Sequence, residues 1–353
     1  SITFILNTFR SSCKLLQSLI GHTSNVWNID YLTFNNDQLL CSGSSDKTIR
    51  VWNIKDNKQI QSFNGHTSHV YCAKFSPYHY YNNHRNVICS SSYDTTIRFW
   101  DIKNNKQFEI LNENISSVGG IELSSFNCGK YLVSGLWNKT IRLWDIETYK
   151  LLHIFDGHAS RIWCIDISPL QSNSNKNNNI CVIGGNGYTI CSGSYDKTIR
   201  VWDIETAKQL IVFKGHGLII NSVKYGSNEL GVNCGANTIL SGSEDYSVRL
   251  WDIRSGQQIQ SFNGHNDRVN AVEYSPFVVK NKKICINSNV ICSGSSDKTI
   301  RFWDIRSNKK EICMIHENDE IYSIKFLQLK NNNSYYSVNM CYGLNNGSIH
   351  ICG

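Results

Sequence analysis

A string of twelve residues returns along this chain at a nearly constant interval, and it constrains the fold more than any other feature of the sequence. It reads Ser-Gly-Ser-Ser-Asp-Lys-Thr-Ile-Arg-Val-Trp-Asn at residues 42–53, and close variants follow. The steps between the Trp residues are 44 to 58 residues long, and one further step of 49 residues reaches a degenerate seventh copy that ends at Cys352. The Trp positions are Trp52, Trp100, Trp144, Trp202, Trp251 and Trp303. Repetition at this period predicts a ring or array of equivalent units.

Each unit has the composition of β-strands. The segment Thr48–Trp52 is β-branched and aromatic, alternates with a period of two, and follows a tight turn that contains Asp. Val70–Phe75 and Gln59–Phe63 are further strand candidates, and short polar turns separate such segments. We therefore predict four strands per unit and no helix of useful length.

The repeat resembles that of a known family. A Gly-His pair precedes five copies, as at Gly21-His22, and a Trp-Asp pair closes most of them. Gly-His followed by Trp-Asp is the signature of WD-repeat proteins, in which each repeat forms one blade of a β-propeller. The resemblance covers residues 14–353 and implies an all-β, seven-bladed WD-repeat β-propeller with four antiparallel strands per blade.

The two ends of the chain fit a closed ring. WD-repeat propellers pair strands from both ends of the chain, and Lys14–Ile20 reads as an outer strand without a blade of its own. Closure would remove sheet edges that invite aggregation. We expect residues 1–13 to be an N-terminal extension or a fragment edge, because residue 1 is Ser and not Met.

Cysteine usage and charge exclude several classes of protein. There are 14 Cys, but Cys41, Cys89, Cys191 and Cys292 hold one position in four repeats, where each is expected to pack as a small apolar residue. No Cys-x-x-Cys pair supports a zinc or redox site, and reduced thiols indicate an intracellular protein of the cytosol or nucleus. No apolar stretch approaches the roughly 18 residues of a membrane span. The net charge of +7 comes largely from a Lys and an Arg in each repeat, so it should be spread around the molecule.

Ser, His and Asp recur together beside Trp, and these are the residue types of a nucleophilic triad. The resemblance implies a structural role instead: the Trp N–H bonds to Ser, Ser to His, and His to Asp, so that every polar group is satisfied. Five copies without an oxyanion device indicate architecture, so we predict no enzyme, no metal and no cofactor. The five sets are His22, Ser42, Asp46, Trp52; His66, Ser90, Asp94, Trp100; His158, Ser192, Asp196, Trp202; His216, Ser241, Asp245, Trp251; and His265, Ser293, Asp297, Trp303.

Two repeats depart from this pattern. The third has Glu113-Asn114 in place of Gly-His and Asn138 in place of Asp. The seventh has His316-Glu317, then Asn346, and Cys352-Gly353 for Trp-Asp. Neither repeat can build the four-residue network, and we expect weaker packing in both.

The resemblance also assigns three residues per repeat to the top entrance of the ring. Trp27, Tyr71 and Trp163 follow the buried residues that open the inner strands, so strand alternation should turn them toward the central mouth. Aromatic residues beside Arg are typical of interface hot spots, whereas the alternative is that they fill the channel. The predicted partner-binding residues are Trp27, His69, Tyr71, Tyr93, Trp137, Arg161, Trp163, Tyr195, Glu244, Arg268 and Tyr322.

The opposite face carries a basic group in the sixth repeat, formed by Lys280, Lys282, Lys283, Arg306, Lys309 and Lys310. It could meet acidic protein, lipid headgroups or RNA. No aromatic residues interleave with it, so a solvated loop is the favoured interpretation and nucleic acid is not an expected partner.

These features predict a non-catalytic scaffold or adaptor that docks proteins or peptides on its top face. The alternative is a substrate receptor of a cullin-type ubiquitin ligase, because receptors of that class often carry Trp-Asp-x-Arg. That motif occurs as Trp251-Asp252-Ile253-Arg254 and Trp303-Asp304-Ile305-Arg306. An enzyme would need an unrepeated polar cluster in the central cavity, and none is evident in the sequence.

Overall fold

A computed structural model describes residues 14–34, 37–112, 115–168, 188–226, 237–275, 290–306, 311–330 and 336–353. These residues form seven antiparallel sheets of four strands each. The prediction of a seven-bladed β-propeller is confirmed.

The strands follow one another from the inner to the outer edge of each blade. Blade one contains β2 (Val26–Phe34), β3 (Asp37–Ser44), β4 (Thr48–Asn53) and β5 (Lys58–Asn64), and blade two contains β6 (Val70–Phe75), β7 (Val87–Ser92), β8 (Ile97–Asp101) and β9 (Lys106–Leu111). Blade three contains β10 (Val118–Leu123), β11 (Tyr131–Leu136), β12 (Ile141–Asp145) and β13 (Lys150–Phe155), and blade four contains β14 (Ile162–Ile167), β15 (Thr189–Ser194), β16 (Thr198–Asp203) and β17 (Gln209–Lys214). Blade five contains β18 (Ile220–Tyr225), β19 (Thr238–Ser243), β20 (Ser247–Asp252) and β21 (Gln257–Asn263), and blade six contains β22 (Val269–Tyr274), β23 (Val290–Ser295), β24 (Thr299–Asp304) and β25 (Glu311–His316). Blade seven contains β26 (Ile321–Lys330), β27 (Tyr336–Leu344), β28 (Ile349–Cys352) and, as its outer strand, β1 (Leu15–Leu19).

The ring closes through the two ends of the described chain. Strand β1 pairs antiparallel with β28, with Leu19 opposite Ile349 and Leu15 opposite Cys352. Leu19 is buried in the cluster between blades seven and one, which also holds Trp52. The predicted closure by an N-terminal outer strand is confirmed.

The hydrophobic core lies between blades and not within them. Seven apolar clusters each join the facing sides of two neighbouring blades. Cys41, Cys89, Cys191 and Cys292 are completely buried in such clusters. A blade cannot bury both of its faces alone, so each blade depends on its neighbours.

One helix was not predicted. Helix α1 (Pro77–Asn83) connects β6 to β7 and begins with Pro, which suits the first helical turn. It buries His79, whose ring contacts the hydroxyls of Ser76 and Tyr149 at 2.8 and 3.0 Å. Burial lowers the pKa of His79 to about 4, so its ring is neutral at pH 7. In the ranges that the structure describes, no helix has the length and apolar character that a membrane crossing requires.

Candidate functional site

The four recurring polar residues come together in five blades. In blade one, the Trp52 indole N–H donates to Ser42 Oγ at 3.0 Å, and Ser42 Oγ lies 2.8 Å from His22 Nε2. The other nitrogen, His22 Nδ1, lies 2.8 Å from Asp46 Oδ2. The same three contacts span 2.7–3.0 Å in blades two, four, five and six.

This geometry withdraws the serine of the network from solvent. Ser42 is completely buried, and its oxygen is held between the indole and the imidazole. Burial lowers the pKa of His22 despite the nearby Asp46. Burial alone would raise the pKa of Asp46, but hydrogen bonds from His22 and Thr48 hold it well below its usual range. A neutral His beside an ionised Asp is a satisfied structural network.

The two divergent blades keep parts of this arrangement. In blade three, the Trp144 indole donates to Ser134 Oγ at 3.0 Å, and Asn138 accepts hydrogen bonds from Thr140. Glu113 and Asn114 lie outside the described residues. Blade seven contains a different polar contact in place of the network, and this contact was not predicted. Its buried Tyr342 hydroxyl donates a hydrogen bond to Glu317 at 2.5 Å.

Removing the carboxylate from one complete network should destabilise the fold. Asp196→Ala leaves His158 Nδ1 and the backbone N–H groups of Ala159 and Thr198 without their acceptor, and we expect a loss of about 1–3 kcal/mol in the free energy of unfolding. Asn138→Ala should cost less, since among the described residues Asn138 is bonded only to Thr140. Urea denaturation measures both, and equal losses would contradict the structural role of the network.

The predicted top-face aromatic residues form one connected group, which we call the aromatic arc: Trp27, Tyr71, Tyr93, Trp137, Trp163, Tyr195 and Tyr322. The ring centroid of Trp27 lies 4.7 Å from that of Tyr322, 5.6 Å from Tyr71 and 5.7 Å from Trp163. Trp27 and Trp163 belong to blades one and four, so this part of the arc reaches across the channel.

The outer part of the arc faces solvent. Tyr93 is 44% exposed and packs edge-on against Trp137 at 5.0 Å. The exposed Arg161 guanidinium lies 4.3 Å from the Trp137 ring centroid. The half-buried Trp27, Tyr71 and Trp163 therefore fill part of the channel, whereas Tyr93 and Arg161 at the rim are open to solvent. Partner binding by either part stays a prediction.

A β-bulge aims the inner aromatic residues at the mouth. The pairing register shifts around the second residue of β2, β6 and β14, which is Trp27, Tyr71 and Trp163 respectively. The direction of these side chains was predicted from strand alternation, but each of the three residues lies in a bulge, where the alternation is interrupted, and all three line the cavity at the mouth. In blade three the equivalent residue is Gly119, where a Cβ would lie 2.9 Å from the Ile162 oxygen. Only Gly permits that approach of β10 to β14.

The other side of the mouth is polar. Glu244 Oε1 lies 3.4 Å from the Arg268 guanidinium, which is 60% exposed. The Tyr322 hydroxyl donates to Glu320 Oε2 at 2.9 Å, and the Ser296 hydroxyl donates to the same oxygen at 3.1 Å. A cavity of about 550 Å³ extends from the aromatic arc down into the channel.

Deeper in the channel lies a ring of charged residues. The sequence analysis found no polar cluster in the central cavity, so this ring was not predicted. The fifth residue of every inner strand is charged, and we call this set the charge belt: Asp30, Lys74, Glu122, Asp166, Lys224, Glu273 and Lys325. Lys74 Nζ lies 2.9 Å from Glu122, and Lys224 Nζ lies 3.5 Å from Asp166 and 3.8 Å from Glu122. Lys325 lies 4.0 Å from Asp30 across the closure.

The belt joins neighbouring blades. Asp30 accepts the Phe75 N–H of blade two at 3.0 Å, and Asp166 accepts the Tyr225 N–H of blade five at 2.8 Å. Burial alone would raise the pKa of Glu122, but Lys74 and Lys224 hold it well below its usual range. Most of these groups are engaged in contacts between blades. In the described part of the chain, no group of His, Cys, Asp or Glu is arranged to hold a metal ion.

The basic group of blade six is mostly outside the described residues, where Lys280, Lys282, Lys283, Lys309 and Lys310 lie. Arg306 is described: it is exposed and lies 3.3 Å from Asp304. What this face binds stays open.

Comparison with known proteins agrees with this architecture. The chain is similar to WD repeat and SOCS box-containing protein 1 of Danio rerio, with 40% identity over 65 residues, which is 18% of this chain and 15% of that protein. It is 35% identical over 63 residues to the peroxisomal targeting signal 2 receptor of Mus musculus, covering 18% of this chain and 20% of the receptor. With WD repeat-containing protein pop2 of Schizosaccharomyces pombe it shares 28% identity over 214 residues, covering 59% of this chain and 24% of pop2. The matched part of the chain thus spans no more than about a quarter of these relatives.

A family model covers most of the chain. The model of the WD domain, G-beta repeat, matches residues 13–53, 57–101, 113–145, 149–203, 207–252 and 256–304. These six segments correspond to the first six sequence repeats and end at the third strand of blades one to six, and the degenerate seventh copy is not among them. The chain belongs to the family of WD-domain, G-beta-repeat proteins.

Proposed function

We propose that this protein is a non-catalytic scaffold or adaptor that docks partner proteins or peptides on the aromatic arc. The observation that carries the proposal is the connected group of Trp and Tyr rings at the mouth, with Arg161 stacked on its rim. A few residues dominate the binding energy of a protein interface, and they are enriched in Trp, Tyr and Arg.

The propeller supports this role mechanically. The arc residues stand on bulges and turns of a closed ring, whose blades are joined by apolar clusters and by the charge belt. A rigid support lowers the entropy that is lost when a partner binds. The buried serines of the recurring network favour a non-catalytic role.

Truncating the arc should weaken binding strongly. We expect Trp27→Ala, Tyr71→Ala and Trp163→Ala each to reduce partner affinity about thirtyfold, because a central hot spot commonly contributes about 2 kcal/mol. Partners are first identified by affinity purification and mass spectrometry, and their affinity for each variant is then measured by calorimetry.

The controls separate binding from folding. Tyr93→Ala removes an exposed ring and should weaken binding without lowering the melting temperature. Lys103→Ala, in the exposed turn between β8 and β9 on the opposite face, should change neither quantity. If charge reversal at Lys280, Lys282 and Lys283 abolishes binding while the aromatic variants bind normally, the docking surface lies elsewhere.

A substrate receptor of a cullin-type ubiquitin ligase is the second candidate function. It rests on the two Trp-Asp-x-Arg motifs, of which the second presents an Arg306 side chain that is 54% exposed. One relative is a SOCS box-containing protein. Co-purification of a ligase adaptor with the wild-type chain, and its loss in Arg306→Ala, would favour this candidate over a general adaptor.

We also propose that the protein is intracellular. Eight cysteines in the described ranges, including Cys41, Cys89, Cys191 and Cys292, form no disulfide, and six of these eight are buried. Unpaired cysteines in this number favour a reducing compartment such as the cytosol or nucleus.

A further inference from the structure

The mouth of the channel carries a surplus of negative charge on one wall. Glu244, Asp267 and Glu320 line the cavity there, and Arg268 is the one cation beside them among the described residues at the level of the mouth. Three carboxylates against one guanidinium leave a formal charge of −2, although the chain as a whole carries +7.

Two of these carboxylates have no cationic partner among the described residues. Glu320 is half-buried and accepts hydrogen bonds from two neutral hydroxyls, those of Tyr322 and Ser296. Asp267 accepts the backbone N–H of Arg268. The exposed Lys298 of the same face donates to the Asn318 carbonyl oxygen and not to either carboxylate.

Aromatic rings face this acidic wall. Tyr322 joins the two sides, because its hydroxyl bonds to Glu320 while its ring packs against Trp27. A cation seated between them would meet a carboxylate on one side and the face or edge of an aromatic ring on the other. Cations are attracted to the faces of Trp and Tyr, and the attraction increases when water is excluded.

The charge belt forms a separate level beneath the mouth. It lies three residues further along the inner strands, about 10 Å deeper at the usual rise per residue. Its four acidic and three basic residues sum to −1 when all are ionised, whereas the three that line the cavity, Lys74, Glu122 and Lys224, sum to +1. The negative surplus that would attract a positive group is therefore confined to the mouth.

We propose that the mouth is a subsite for a basic side chain, Arg or Lys, of a docked partner segment, held by Glu320 against Trp27 and Tyr322, with Glu244, which is paired with Arg268, adding to the negative charge nearby. This deepens the proposed docking function and rests on it. The partner segment is thereby expected to carry a basic residue at the position that enters the channel.

The test uses two synthetic pentapeptides that differ in one charge: acetyl-Gly-Ala-Arg-Ala-Gly-amide and the same peptide with citrulline, the neutral isostere of Arg. Both are titrated into the full chain while the indole N–H resonance of Trp27 is followed by nuclear magnetic resonance, with Trp27→Phe used for its assignment. We expect the Arg peptide to bind about fivefold more tightly, which corresponds to about 1 kcal/mol. Glu320→Gln should bring the ratio close to one, and Glu244→Gln should lower it.

Glu205→Gln is the matched control, because it removes the same charge from the exposed turn between β16 and β17 on the opposite face and should leave the fivefold ratio intact. Equal binding of the two peptides, a ratio that survives Glu320→Gln, or the absence of any peptide-induced shift would overturn the subsite. Those outcomes would leave the docking function standing if the aromatic variants still lose affinity for protein partners.

Discussion

A chain that lacks residues 1–20 is expected to aggregate, or to have a free energy of unfolding about 5 kcal/mol lower than that of the full chain. Strand β1 supplies the outer strand of blade seven, and its removal exposes the edge of β28. Burial of Leu19 contributes about 2–3 kcal/mol, and the backbone hydrogen bonds of the β1–β28 pair contribute about as much again. An unpaired strand edge also recruits other chains, which explains the expected aggregation.

A deletion of residues 1–13 is the matched control, since it leaves β1 in place. Thermal unfolding and size-exclusion chromatography should show that this shorter deletion behaves like the full chain. If the two deletions melt alike and both stay monomeric, β1 does not close the ring.

The fold could be predicted because the repeat encodes each blade in the same order. Trp, Ser, His and Asp recur at matching positions, so their pairing in one blade implies the pairing in four others. The closing strand could be predicted for a related reason, because Lys14–Ile20 precedes the first Gly-His and had no blade of its own. Blade seven was predicted less completely, since Tyr342 and Glu317 replace the recurring residues with side chains of different shape.

The mouth was only partly predictable. The positions of the aromatic residues follow from the repeat, but their direction depends on a β-bulge that period-two alternation does not contain. The charge belt was missed because its members differ in sign among the blades, so no single residue type recurs at this position. The available signal was positional: a charge stands four residues after the buried opener of every inner strand, as Asp30 does after Val26.

The second large effect is expected from a substitution in the charge belt, which should lower the free energy of unfolding. Glu122 lies between Lys74, which is only 7% exposed, and Lys224. Glu122→Gln keeps the shape of the side chain but removes the carboxylate that pairs with Lys74, whereas Lys224 keeps Asp166 at 3.5 Å. Loss of one member of a buried ion pair costs about 3–5 kcal/mol, because the remaining charge stays desolvated. We expect the free energy of unfolding, measured in urea, to fall by about 3 kcal/mol.

Glu273→Gln provides the comparison, because Glu273 occupies the same strand position in blade six and no ion pair joins it to a cation among the described residues. Its loss should cost less than about 1 kcal/mol, as for an exposed or weakly paired charge. The double variant Lys74→Met with Glu122→Met removes both charges of the closest pair and should recover part of the lost stability, since apolar residues of similar size often replace a buried pair without net cost. If Glu122→Gln costs no more than Glu273→Gln, the belt is a solvated lining of the channel and not a set of contacts that holds the blades together.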